Sequence, residues 1–341
     1  MFFLRWVPWP PRDSSNSCIC LWLFLKFCLG GHLRNADWVN EQMLFKVAVD
    51  VVPTNVKVLS NEAKNLLNSD PNKALEYLQF TIGMLPKHIE SHTNAGLAYV
   101  TLASRIDRDD GEELFLHGIR HLYKSAMLAP NTFQSHGFLG GEMYSQWMRK
   151  ARQQNGEPTL REFLGSTTIA YAIKFLDHAI DHKSIYPTHF YSRGNIAYES
   201  GDFDAAISYF RTTEVANGII RDRKVDPELL VESSAIYNVL GVCYKAKGEL
   251  NKALEIFRKG IALHAEEIYL HINVALIEQQ LGNNDKADAQ LQVGLSTVTR
   301  RDDIRKLREI AKMLQNSILS GAVDQILDRA ATLERQHLVS S

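Results

Sequence analysis

Leu240-Gly241, Tyr244, Gly248, Ala253, Phe257 and Gly260 line up, at a shift of 34 residues, with Val274-Ala275, Glu278, Gly282, Ala287, Leu291 and Gly294. Each position in this pattern has a packing reason. Gly241 and Ala253 are small where two helices would cross, and a larger side chain would push the backbones apart. Phe257 is large enough to fill the space beside them. Gly248 ends the first helix by supplying a positive φ that a Cβ would penalise.

A self-similarity of this length, with small residues at two fixed points and large ones between, is the signature of the tetratricopeptide (TPR) helix-turn-helix unit. Walking the register backwards finds further copies. Phe190, Arg193-Gly194, Gly201-Asp202-Phe203, Ala206 and Phe210 make a complete repeat. His136, Leu139-Gly140 and Met143 begin a first helix whose partner, Ala172, Leu176 and Ala179, follows a long interruption. Ala95-Gly96, Tyr99 and Leu102 pair with Gly118, Leu122, Ser125 and Pro130, and Leu59, Ala63 and Leu66 pair with Ala74, Leu78, Thr81 and Pro86. Trp38, Glu41, Phe45, Ala48 and Pro53 form a lone second helix ahead of them. Proline stops these helices because it lacks an N–H and restricts the residue before it. The fold expected is all-α: a right-handed TPR superhelix, or α-solenoid, of about six repeats with a leading half repeat.

Residues 301–341 carry two more helical patterns, Ile304, Leu307, Ile310, Ala311 and Leu314, then Val323, Ile326, Leu327, Ala330 and Leu333. A solenoid needs such capping helices to close its apolar end. The expected organisation is an apolar segment over residues 1–31, the solenoid over 32–300 and the caps over 301–341. Residues 104–111, 150–166 and 217–227 break the rhythm and read as loops projecting from one face, either contact surfaces or variable loops.

The chain has 341 residues, 23% charged and 45% hydrophobic, as expected for an ordered globular protein. A net charge of −1 argues against nucleic acid, whose recognition needs a concentrated basic footprint. Residues 18–29 are apolar except for Lys26. Those 12 residues are too few for a hydrocarbon core that needs about 20, but they match a signal-peptide core. Three readings stay open for this segment: targeting or membrane association, a cap on the first repeat, or no stable structure.

Chemistry is scarce. Cys18, Cys20 and Cys28 lie in the apolar segment and Cys243 in a repeat helix, with no disulfide or zinc spacing among them. His88 and His92, and His117 and His121, are spaced i and i+4, which can place two imidazoles on one face for a metal; both pairs read as structural. No phosphate-binding glycine loop and no nucleophile elbow is present. Neither a catalytic residue nor a cofactor or metal is expected.

Binding has a better candidate. Asn61, Asn94 and Asn273 stand two residues before the small residue of their first helices, which line the inner surface of a TPR superhelix. A side-chain amide donates and accepts at once, so aligned Asn residues can grip the backbone of an extended peptide in the concave groove. The competing reading is a solvated surface amide, and Phe138, Ser192 and Val239 interrupt the ladder.

Residues 34–45, Arg-Asn-Ala-Asp-Trp-Val-Asn-Glu-Gln-Met-Leu-Phe, and 51–58, Val-Val-Pro-Thr-Asn-Val-Lys-Val, are more specific than a generic repeat. They resemble the junction after the last membrane helix in the transmembrane and TPR repeat-containing protein family. Asp37, Trp38, Glu41, Leu44, Phe45, Pro53, Asn55, Lys57 and Val58 match, while Val56 replaces the usual Ala and Leu59-Ser60 the usual His-Tyr. The resemblance implies an endoplasmic-reticulum membrane or lumenal location and a part in dolichyl-phosphate-mannose protein O-mannosylation, as the repeat arm that engages an acceptor or partner. The membrane half that would carry catalysis is not in this sequence, so a truncated product or incomplete gene model is expected. The alternative is a soluble cytosolic TPR adaptor holding a chaperone's acidic tail. Lys64 and Asn65 begin such a clamp, but the helix carrying Asn94 supplies no basic residue to continue it.

Overall fold

A computed structural model describes residues 41–106, 109–223, 229–299, 303–314 and 322–339. The apolar residues 18–29 and residues 34–40 of the family-like junction lie outside them. Every regular element among the described residues is a helix.

A lone helix α1 (Glu41–Val51) precedes six pairs. These are α2 (Val56–Leu66) with α3 (Pro71–Met84), α4 (Ile89–Arg105) with α5 (Asp109–Leu128), and α6 (Phe133–Asn155) with α8 (Thr167–Asp181), the short α7 (Leu160–Gly165) lying between the last two in sequence. Then come α9 (Pro187–Glu199) with α10 (Phe203–Asp222), α11 (Ser233–Ala246) with α12 (Leu250–Leu263), and α13 (Ile268–Gln280) with α14 (Asn284–Thr297). Helices α15 (Asp303–Leu314) and α16 (Val323–Val339) follow. This is the expected TPR arrangement of six repeats, a leading half repeat and two terminal helices.

Local chemistry sets the boundaries. Asn55, Asp70 and Asp202 cap α2, α3 and α10 by accepting from Val58, Lys73 and Ala205 N–H groups at 3.2, 3.1 and 3.0 Å. Gly248 and Gly282, one period apart, follow α11 and α13 with φ of 77° and 79°, the left-handed turn that glycine permits. Pro53, Pro86 and Pro130 each lie just beyond a helix end.

The chain divides into two compact units within α6, between Glu142 and Met143. In the first, Ala63, Ala74, Leu78 and Ala98 are fully buried, and a Cβ on Gly96 would stand 2.9 Å from the Gly118 carbonyl oxygen, so these helix backbones touch. Thr93, Ser125 and Ser135 hydroxyls bond to one another at 2.7 to 3.0 Å in the same interior, which satisfies three buried polar groups mutually. In the second, Ala206, Phe210, Ala253 and Phe257 share one core, while Leu291, Leu307, Ile310, Ile326 and Leu333 join the last pair to α15 and α16. Leu327, expected in that core, is 42% exposed because it falls on the outer side of α16.

Two of the expected loops are structured. Within residues 150–166, α6 runs on to Asn155 and α7 forms on a capping box, with Glu162 Oε2 accepting from Thr159 N–H at 2.9 Å. Phe163 then buries itself edge-on to Trp147, ring centres 5.4 Å apart. Residue 217 is no loop either: α10 continues to Asp222, and buried Asn217 donates to Val231 O at 2.7 Å and accepts from Val231 N–H at 3.1 Å. A side chain that closes both bonds of a passing backbone turns that connection into part of the core.

Candidate functional site

Successive first helices lie side by side. Asn94 Nδ2 reaches from α4 to the Ser60 carbonyl of α2 at 3.0 Å, and Asn273 Nδ2 reaches from α13 to Asn238 Oδ1 of α11 at 2.8 Å. Asn61 Nδ2 bonds within its own helix to Lys57 O at 2.9 Å. All three are half-buried, and their Oδ1 atoms accept no bond from the described residues. Asn61 and Asn94 are thus brought together in the first unit, whereas Asn273 belongs to the second. The donor end of each amide is engaged inside the chain, so the bond each can give a ligand is chiefly through its acceptor.

The column beside them escaped the sequence reading. Tyr191 and Asn238 stand three residues before Gly194 and Gly241, and four residues after the small residues come Tyr198, Lys245 and Gln279. On a helix those offsets share one side with the residue that follows the small one, here Asn195 on α9. Tyr191, Asn195, Tyr198, Asn238, Lys245 and Gln279 are all half-buried. Burial raises the Tyr191 and Tyr198 pKa and lowers that of Lys245, and burial also raises Glu199, at the end of α9. The detectable signal was the period itself, since the same register that aligned the Asn positions also aligns this column.

The histidines do not assemble as i, i+4 pairs. His92 of α4 instead meets His121 of α5, Nδ1 to Nδ1 at 2.9 Å, while His92 Nε2 lies 3.0 Å from the Pro86 carbonyl. A carbonyl only accepts, so Nε2 carries the His92 proton and His121 Nδ1–H donates to His92 Nδ1. Burial, then the charges of His92, His117 and Lys124, push His121 down to about 4, and burial lowers His92. Tyr99 stacks on His117 and His121. Among the described residues no three His, Cys, Asp or Glu side chains converge in a way that could hold a metal ion. Cys243 is fully buried and its thiol is pushed up to about 12 by that burial, which keeps it protonated and inert.

Comparison with known proteins agrees with this architecture. Residues 234–266 match the tetratricopeptide repeat family model. No curated protein matches the chain by sequence. Among solved structures, PilW, a widely conserved type IV pilus biogenesis factor, is similar at 13% identity with a TM-score of 0.50 over 69% of this chain and 90% of that one. The human IFIT1 dimer with m7Gppp-AAAA is similar at 13% identity with a TM-score of 0.51 over 84% of this chain and 59% of that one. At such identities the likeness concerns the fold. Residues 234–266 are therefore a tetratricopeptide repeat in an all-α chain built of similar helix pairs.

Proposed function

We propose that this protein is a TPR scaffold that binds extended segments of partner protein along its first helices, with Asn61 and Asn94 contacting peptide backbone on the first unit and Asn273 doing so on the second. One observation carries the reading: amides recur at a fixed register position, half-buried, with acceptor oxygens that no described residue uses. An extended strand offers N–H groups to such acceptors without regard to its side chains. The test is the affinity of short unstructured fluorescent peptides for the intact chain and for Asn61→Ala/Asn94→Ala. Each contact is worth about 0.5–1.5 kcal/mol, so the double variant binds about tenfold more weakly. Undiminished affinity would remove these residues from the site.

The finer reading is that this scaffold is the lumenal repeat arm of a dolichyl-phosphate-mannose protein O-mannosyltransferase, presenting acceptor protein to a membrane-borne catalytic half. The likeness of residues 34–61 to that family's junction supports it, as does the apolar stretch at 18–29 for membrane association. Among the described residues no helix is long and apolar enough to cross a membrane. Fractionation with protease protection tests the location. Protection inside microsomes is expected, and a cytosolic protein indifferent to deletion of residues 1–31 would favour the adaptor reading.

A further inference from the structure

The first helices of the second unit carry a cation without a counterion. Helices α9, α11 and α13 bear one arginine, Arg193, and one lysine, Lys245. Arg193 pairs with Asp177 at 2.7 Å. Lys245 is half-buried, yet no described carboxylate lies within 4.0 Å of it and no described acceptor takes its protons. The cations nearby in sequence are all engaged: Lys247 with Asp204 and Glu249, Lys252 with Glu249, and Arg211 with the Tyr244 hydroxyl. A desolvated ammonium left alone costs free energy that a bound carboxylate recovers.

We propose that Lys245 anchors an acidic side chain, Asp or Glu, of an extended peptide lying along this face. The register supports a built position: Tyr198, Lys245 and Gln279 occupy the same place in three successive repeats, so the cation stands between two neutral hydrogen-bonding groups. Gln279 Oε1 is buried and accepts nothing from the described residues, which suits the peptide N–H next to an anchored side chain. The inference rests on the peptide-binding reading above and adds the chemistry the face selects.

The experiment measures fluorescence anisotropy of the full chain with a matched set of unstructured peptides whose single variable position is Glu, Gln or Lys, each with a free or an amidated C-terminus. The Glu peptide binds about tenfold or more tightly than the Gln peptide at low salt, and this advantage shrinks as ionic strength rises. Lys245→Met keeps the aliphatic stem, holds the melting temperature and abolishes the Glu advantage, while Lys245→Arg retains it. Equal binding of Glu and Gln peptides, a preference set only by the free C-terminus, or an unchanged Glu advantage in Lys245→Met would each overturn the inference and leave peptide binding standing. Failure of every peptide to bind would overturn both.

Discussion

Gly241 lies directly against the ring of Phe257: a methyl group built on it would fall 2.5 Å from Cζ, where a Cβ contact below 3.0 Å essentially never occurs. One repeat earlier Gly194 stands in the same relation to Phe210, at 2.6 Å from Cε1. The glycine and the aromatic ring are one packing unit split between two helices. Gly241→Ala therefore destabilises the second unit by about 1–3 kcal/mol through overpacking. Chemical denaturation measures this, and Phe257→Leu added to Gly241→Ala recovers part of the loss because it removes the obstructing ring edge.

The clamp between Asn217 and Val231 gives a second expectation. Asn217 is 1% exposed and closes two hydrogen bonds to one backbone residue, so Asn217→Ala strands a buried N–H and C=O together. The expected loss is about 2–3 kcal/mol. Hydrogen exchange at the Val231 amide accelerates in the variant, whereas a freely projecting loop would exchange rapidly in both proteins.

These two cases mark what the sequence could and could not reveal. Gly241, Ala253 and Phe257 were legible because their sizes repeat at 34 residues, and a repeated core demands a repeated volume. Asn217 and Phe163 were not legible, because each sits in an insertion that has no counterpart in other repeats. Phe163 packs through a ring contact with Trp147, and Asn217 through two bonds to a distant backbone, neither of which leaves a periodic trace. The candidate site shows the same division. The aligned Asn residues were visible, but the engagement of Asn94 with Ser60 and of Asn273 with Asn238 appears only once helices lie side by side.

Acid sensitivity follows from the histidine pair of the first unit. Burial holds His121 neutral until about pH 4, whereas the unfolded chain takes up that proton near 6.5. Between those values the unfolded state binds more protons, so stability is fully present above 6.5 and falls as the pH drops toward 4. After allowance for solvent screening the loss by pH 5 is about 1–2 kcal/mol. His121→Gln flattens this part of the profile, seen in denaturation midpoints between pH 7 and 5. A residual slope persists from His189 of the second unit, which complete burial holds down at about 3.

The last expectation separates the structural share of the Asn residues from their share in binding. Asn94 and Asn273 each tie one first helix to its neighbour, while Asn61 bonds only to the turn before it on its own helix. Asn94→Ala and Asn273→Ala therefore each cost about 0.5–1.5 kcal/mol, and Asn61→Ala leaves the denaturation midpoint nearly unchanged. Asn273→Ala combined with Asn238→Ala costs less than the sum of the single changes, because one bond is removed only once. Full additivity in that cycle would mean the two side chains do not interact in solution. Asn61→Ala, with its small structural effect, is then the variant in which weaker peptide binding reports on contact with the ligand rather than on helix packing.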